Sequence, residues 1–278
     1  MKSRNPVLSR LGQAAERERA AAYAPPAPYG QPGHGPQQYP TGAGYPAGVG
    51  YPAAPPTVAP MTIDDVVIRT VALLAMVGVS AAAAWVAVPD ALVGPALIGG
   101  AMVGLVLGLV IAFARVTNPL VIGGYAIAEG VFVGLISKMF ESRFDGIVLQ
   151  AVVGTFGVFF LMSMLYKAKV IRATPGFIRG VMAAVVGAFA LMMVNLVLGF
   201  FGYTTPLRDG SPIAIIFSLV VIVIAALTFI IDFHQAEEGV RYGLPRKYAW
   251  LSAFGIVVSL IWLYLEVLRL LSYFQGDD

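Results

Sequence analysis

The sequence predicts an all-α integral membrane protein, a bundle of seven transmembrane helices preceded by a disordered N-terminal tail. Three observations predict it. Hydrophobic residues make up 58% of the 278 and charged residues only 12%, with a mean hydropathy of +0.81, well outside what a soluble domain can bury. Seven apolar runs fill the chain from Val66 to Phe274, each near the ~20 residues that cross a hydrocarbon core ~30 Å thick. A few carboxylates stand inside those runs, where the bilayer makes a charge expensive.

The predicted spans are residues 67–88, 91–113, 119–140, 146–166, 177–201, 212–231 and 248–274. The first carries Ser80 as its weak polar mark. The second contains Gly100-x-x-x-Gly104-x-x-x-Gly108 and the third Gly130-x-x-x-Gly134. Small residues at this spacing form a flat stripe on which another helix backbone approaches closely, and they are read as packing within one monomer. The third span also holds Glu129, about ten residues from either end. The fourth carries Gln150 and the fifth Asn195. The sixth includes Ser218 and Thr228 and closes on Asp232; the last holds Ser252, Ser259 and Glu266. Hydroxyls in helices commonly satisfy their own backbone, and that is the expectation for these serines and the threonine.

Residues 1–60 differ in kind from the helical domain, 61–278. After a short Arg/Glu/Ala-rich stretch they run through Pro, Gly and Tyr, with loose repeats at Tyr39-Pro40, Tyr45-Pro46 and Tyr51-Pro52. Such a segment cannot bury enough apolar surface to offset its ordering entropy, so it reads as disordered. Its charged opening leads into no apolar h-region, which argues against a signal peptide. A docking arm read by a partner and an extension of no specific role are both open.

The absence of cysteine excludes disulfides, Cys-ligated zinc, iron–sulfur clusters and a thiol nucleophile. A net charge of +3 is too small to suggest nucleic acid. It serves instead to orient the chain. Basic residues collect in the tail and in the second, fourth and sixth connections, as Arg115, then Lys167, Lys169 and Arg172, then Arg241, Arg246 and Lys247. By the positive-inside rule the N-terminus is cytoplasmic, and seven spans put the C-terminus outside.

Three acids carry the functional reading. Glu129 lies near the midplane, where an ionised carboxylate costs roughly 2.5–3.5 kcal/mol or more unless paired or hydrated. It must face the bundle interior or a water cavity, either as a protonated structural pin or as part of an ion or proton path. Asp232 shares a helical face with Gln235 and Gly239; it either lines a path or pairs with Arg69 or Arg115 near the inner boundary. Glu266 has Arg269 at i+3 on the same side of its helix, a local partner. No firm metal site is read, no cofactor is implied, and enzyme chemistry is not expected. His234-Gln-Ala-Glu-Glu is not a zinc-protease motif, and no serine has a plausible His base at membrane depth.

Three segments together resemble the Bax inhibitor-1/YccA family, also called the transmembrane Bax inhibitor motif family. They are Tyr125-Ala-Ile-Ala-Glu-Gly-Val-Phe-Val-Gly134, the stretch with Asp232 and Gln235, and Leu263-Tyr-Leu-Glu-Val-Leu-Arg-Leu-Leu271. The resemblance covers the core from about Met61. It implies that six helices surround the C-terminal seventh, that the chain sits in a bacterial plasma membrane, and that it forms a pH-sensitive calcium leak. It also implies a gating pair of acids, one from each of the last two helices, matched here by Asp232 and Glu266, which would be transient calcium ligands. Depth arithmetic leaves the pairing open: Asp232 lies about 10 Å from the inner end of its helix and Glu266 about 27 Å from the start of the last one. Either the helices shift to form a direct pair, or the carboxylates form a ladder with Asp232 inner, Glu129 middle and Glu266 outer.

The function expected is therefore a passive, pH-modulated leak for a cation, calcium first, with the proton as regulatory ion and the lipid bilayer as setting. The alternative is a non-conducting regulator that binds other membrane proteins, such as a membrane-bound protease. The orientation is directly testable. A cysteine at Ser211 is expected to react with an impermeant maleimide from outside, and one at Ala173 is not; the reverse labelling would overturn the inner placement of Asp232.

Overall fold

The first helix begins earlier than its apolar run. α1 (Ile63–Ala87) opens on a capping box in which Thr62 accepts from the Asp65 backbone while the Asp65 side chain reaches back to the Thr62 backbone, satisfying two of the amides that a helix start leaves bare. The computed structural model describes residues 59–202, 207 and 209–276. The tail expected to be disordered lies, up to residue 58, outside them. A short 3-10 turn (Asp90–Leu92) leads into α2 (Val93–Ala114), which ends where Arg115 takes the left-handed conformation at φ 51°. α3 (Pro119–Glu141) starts on an Asn118 cap with Pro at its first position, where a missing N–H costs nothing. α4 (Ile147–Lys167), α5 (Pro175–Phe200), α6 (Pro212–Arg241) and α7 (Tyr248–Gln275) complete the set.

Among the described residues seven helices are long and apolar enough to cross a membrane, and the protein is an integral multi-pass membrane protein. The largest departure from the predicted spans is α6. It continues ten residues past the apolar run, through Asp232 and His234 to Arg241, before Gly243 at φ 62° turns the chain into α7. Leu244 N–H donates to Gly239 O and Gly243 N–H to Val240 O, the two bonds that close a helix on a left-handed residue.

The C-terminal helix is central. α7 has the largest buried share of any span, and it packs against α1, α3, α4 and α6. The surround is layered rather than a ring of six: α2 lies outside on α3, and α5 outside on α6. Buried residues run along α7, from Ala249 and Ala253 through Val257 and Leu260 to Leu263 and Leu268. Phe229 and Ile230 of α6 and Leu73 of α1 close around it.

Both glycine stripes pack within the monomer, each on a different partner. Gly130 and Gly134 of α3 meet α1. A Cβ at Gly134 would lie 2.7 Å from Ala81 Cα and in collision with Ala81 O; one at Gly130 would lie 3.0 Å from Val77 Cα and collide with Ser80 Oγ. Gly100 and Gly108 of α2 meet α3, at Phe132 N and Tyr125 respectively. Gly134→Ala is expected to lower stability by about 1–3 kcal/mol through overpacking against backbone that cannot yield. Gly157→Ala, whose Cβ would meet nothing within 4 Å, should be neutral or slightly stabilising. Thermal unfolding in one detergent compares the two, and equal melting temperatures would contradict the close α1–α3 approach.

Candidate functional site

The seam between α6 and α7 holds two of the three acids, at separate levels. Because the helices are antiparallel, the end of α6 lies beside the start of α7. Asp232 Oδ2 accepts a hydrogen bond from Ser259 Oγ at 2.6 Å, and Thr228 Oγ1 lies 3.2 Å from the same serine oxygen. On the other side of the carboxylate stands Gly255, where a Cβ would be 3.4 Å from Asp232 Oδ1. On α7 the carboxylate thus has a glycine and a serine beside it, and no ion pair to it is present among the described residues.

Glu266 lies seven residues beyond Ser259, about 10 Å along the axis. Only 1% of it is exposed. Arg269 Nη1 donates to its two carboxylate oxygens at 2.8 and 2.9 Å, and Ser218 Oγ of α6 lies 3.4 Å from Oε2. The Glu266–Arg269 pairing read from the i+3 spacing is present. One level of the seam thus holds a nearly uncompensated acid and the other a closed ion pair.

Glu129 does not join this line. It is half-buried on the face of α3 that meets α2, where a Cβ on Gly104 would collide with its Oε2. Absence of a side chain at Gly104 makes room for the carboxylate. Glu129 stands against Gly104 of α2 rather than in the α6–α7 seam, so the three acids do not share one seam. Gln235 also departs from expectation: it is exposed, one turn from Asp232 but off the seam.

Neither basic partner expected for Asp232 pairs with it among the described residues. Arg69 lies 3.2 Å from Asp65 Oδ1, donates to the Asp65 carbonyl at 3.0 Å, and sits 5.5 Å over the Trp250 ring. Arg115 ends α2 and forms no ion pair with any described residue. Asp65 was not singled out from the sequence, yet it is 6% exposed and takes a second guanidinium, Arg246 Nε, at 2.6 Å. The capping spacing Thr62-x-x-Asp65 signals the helix start. Nothing local signals Arg246, 181 residues away on the α6–α7 connection.

The seam hydroxyls do more than cap their own turns. Ser218 and Ser259 bind carboxylates, whereas Ser80, Ser163 and Thr155 bond back to their own helices. Tyr264 of α7 meets Ser137 of α3 at 2.6 Å, and Tyr125 stacks edge-on to Phe254 with ring centroids 4.9 Å apart. Residues of the family-like segments at Tyr125, Asp232, Tyr264 and Glu266 therefore all lie against, or on, the central helix.

Fold and site define a seven-helix membrane protein whose central C-terminal helix carries carboxylate and hydroxyl contacts at several levels. A family model described as Bax inhibitor 1 like matches residues 5–276, and the chain belongs to that family. The match starts within the tail, upstream of the point near Met61 where the resemblance was expected to begin. No curated protein matches the chain.

The Glu266–Arg269 pair makes a stability prediction. Removing one partner of a buried ion pair leaves an uncompensated charge, at a cost of about 3–5 kcal/mol. Arg269→Gln is expected to destabilise by that order and Glu266→Gln by less, while the double variant recovers much of the loss because no charge remains. Melting temperatures of the four proteins test it, and strict additivity would contradict the pairing.

Proposed function

We propose that this protein is a passive, pH-modulated leak for cations, calcium in particular, with Asp232 as the ion-attracting group of the α6–α7 seam. The observation that carries the reading is the contrast within one seam. Asp232 keeps its charge uncompensated beside Gly255 and Ser259, while Glu266 is neutralised by Arg269. A carboxylate with neighbouring hydroxyls is a hard-oxygen site suited to calcium, and it supplies far fewer than the 6–8 oxygens of a tight one. Weak, incomplete coordination lets an ion enter and leave. In this reading the opposite level, where Arg269 cancels Glu266, offers a cation no net charge to bind. The basic end of the bundle faces the cytoplasm of a bacterial cell and the C-terminus faces out.

Protonation supplies the control. Ionised Asp232 attracts a cation; the neutral acid does not, and it can donate a hydrogen bond across the seam and hold α6 to α7. Flux is therefore expected to fall as the pH drops through the titration of Asp232. In proteoliposomes, Asp232→Asn should lower calcium flux severalfold and flatten its pH profile. The double variant Glu266→Gln/Arg269→Gln should affect flux far less at every pH, because the two charges it removes already cancel. Flux that is absent from the wild type, or a wild-type pH profile in Asp232→Asn, would remove the leak reading. The non-conducting regulator of other membrane proteins would then stand in its place.

A further inference from the structure

α1 and α4 both pack on α7, and between them lies a cavity of about 900 Å³. Val67, Val71 and Leu74 form its α1 wall, and Phe156, Phe159 and Phe160 its α4 wall, with Phe233 and Ile256 among the residues lining its depth. This is not a closed core. Val71 is 60% and Phe160 61% exposed, and both belong to spans, so the cavity opens sideways toward lipid rather than toward water.

At the basic end the chemistry changes abruptly. Lys167, Lys169 and Arg172 line the mouth; all three are exposed, and no acid among the described residues pairs with them. Glu237 also lines the cavity and accepts from the Tyr166 hydroxyl, which leaves three cations there against one carboxylate; Glu238 lies 3.9 Å from His234 and 3.4 Å from Arg241. Lys169 is held at φ 57°, a left-handed position at which glycine is less strained. The turn is fixed by Lys169 N–H donating to Tyr166 O and Val170 N–H to Leu165 O. A costly residue type thus stands where it adds a cation to the mouth.

Length decides what fits. From Phe156 to Lys167 is eleven residues, about 16 Å of helix, which matches one leaflet of a ~30 Å hydrocarbon core. We infer that the α1–α4 groove is a binding site for one anionic phospholipid, an acyl chain lying along the phenylalanines and the headgroup phosphate meeting Lys167, Lys169 and Arg172. Basic pockets at the cytoplasmic ends of spans attract such headgroups. A zwitterionic lipid gains less because its own ammonium competes for the phosphate. The site takes a phosphate and an acyl chain rather than a cation, and it does not depend on the leak.

The full chain, reconstituted in vesicles of equal phosphatidylglycerol and phosphatidylcholine, is released gently into detergent and weighed with its retained lipid by native mass spectrometry. The wild type is expected to retain one phosphatidylglycerol about tenfold over phosphatidylcholine, the scale that a few juxtamembrane cations supply. Lys167→Gln/Lys169→Gln/Arg172→Gln should lose that preference while still retaining lipid. Val71→Trp, which fills the groove and leaves the cations, should lose the retained lipid itself. Wild-type thermal shifts in vesicles of each lipid alone give a reading without any variant: a higher melting temperature in phosphatidylglycerol is expected. Equal retention of both lipids by the wild type, an unchanged preference in the triple variant, or displacement by millimolar glycerol phosphate would each overturn the proposal, the last by showing a site for soluble phosphate.

Discussion

In a bilayer the hydrophobic effect cannot hold one apolar helix to another, because lipid tails are as apolar as leucine; close backbone packing and polar contacts must do so. The bundle is arranged by that constraint. α3 reaches α1 through Gly130 and Gly134, where two backbones come within the distance a single Cβ would occupy. α2 reaches α3 through its own glycines. α7 is bound at successive levels by hydroxyl and carboxylate contacts: Asp232 with Ser259, Tyr264 with Ser137, and Glu266 with Ser218. α5 presents long exposed apolar side chains such as Val186 and Phe189 and accordingly stands at the edge, on α6.

The same solvent explains how charge is distributed. Each buried acid has been given what it needs to remain in place: Glu266 an arginine one turn on, and Asp65 two guanidiniums from different parts of the chain. The Asp65 network ties the start of α1 to the α6–α7 connection, reinforced by Met61 N–H donating to Leu244 O at 2.7 Å. Half-buried Asp232 differs, since the partner of its carboxylate is the neutral Ser259 hydroxyl. An acid left electrically unbalanced beside the central helix is where a proton or a cation has the most effect, so the leak reading rests there rather than on all three acids alike.

Helix number, approximate limits and the burial of particular acids follow from the sequence, because bilayer thickness fixes span length and the bilayer penalises every unpaired charge. The i+3 spacing of Glu266 and Arg269 and the four-residue glycine spacing are local, and both were readable for that reason. Which helix each stripe meets was not readable: Gly104 and Gly130 lie in similar patterns, yet one admits a carboxylate and the other a neighbouring backbone. Whether Asp232 faces a second acid was also beyond the sequence, since that depends on the register between two antiparallel helices. In the structure Gly255 and Ser259, not Glu266, stand opposite Asp232. Arg69 and Arg246 converge on Asp65 from across the chain, and only tertiary contact could assign them there, because an ion pair between residues far apart in sequence leaves no periodicity to read.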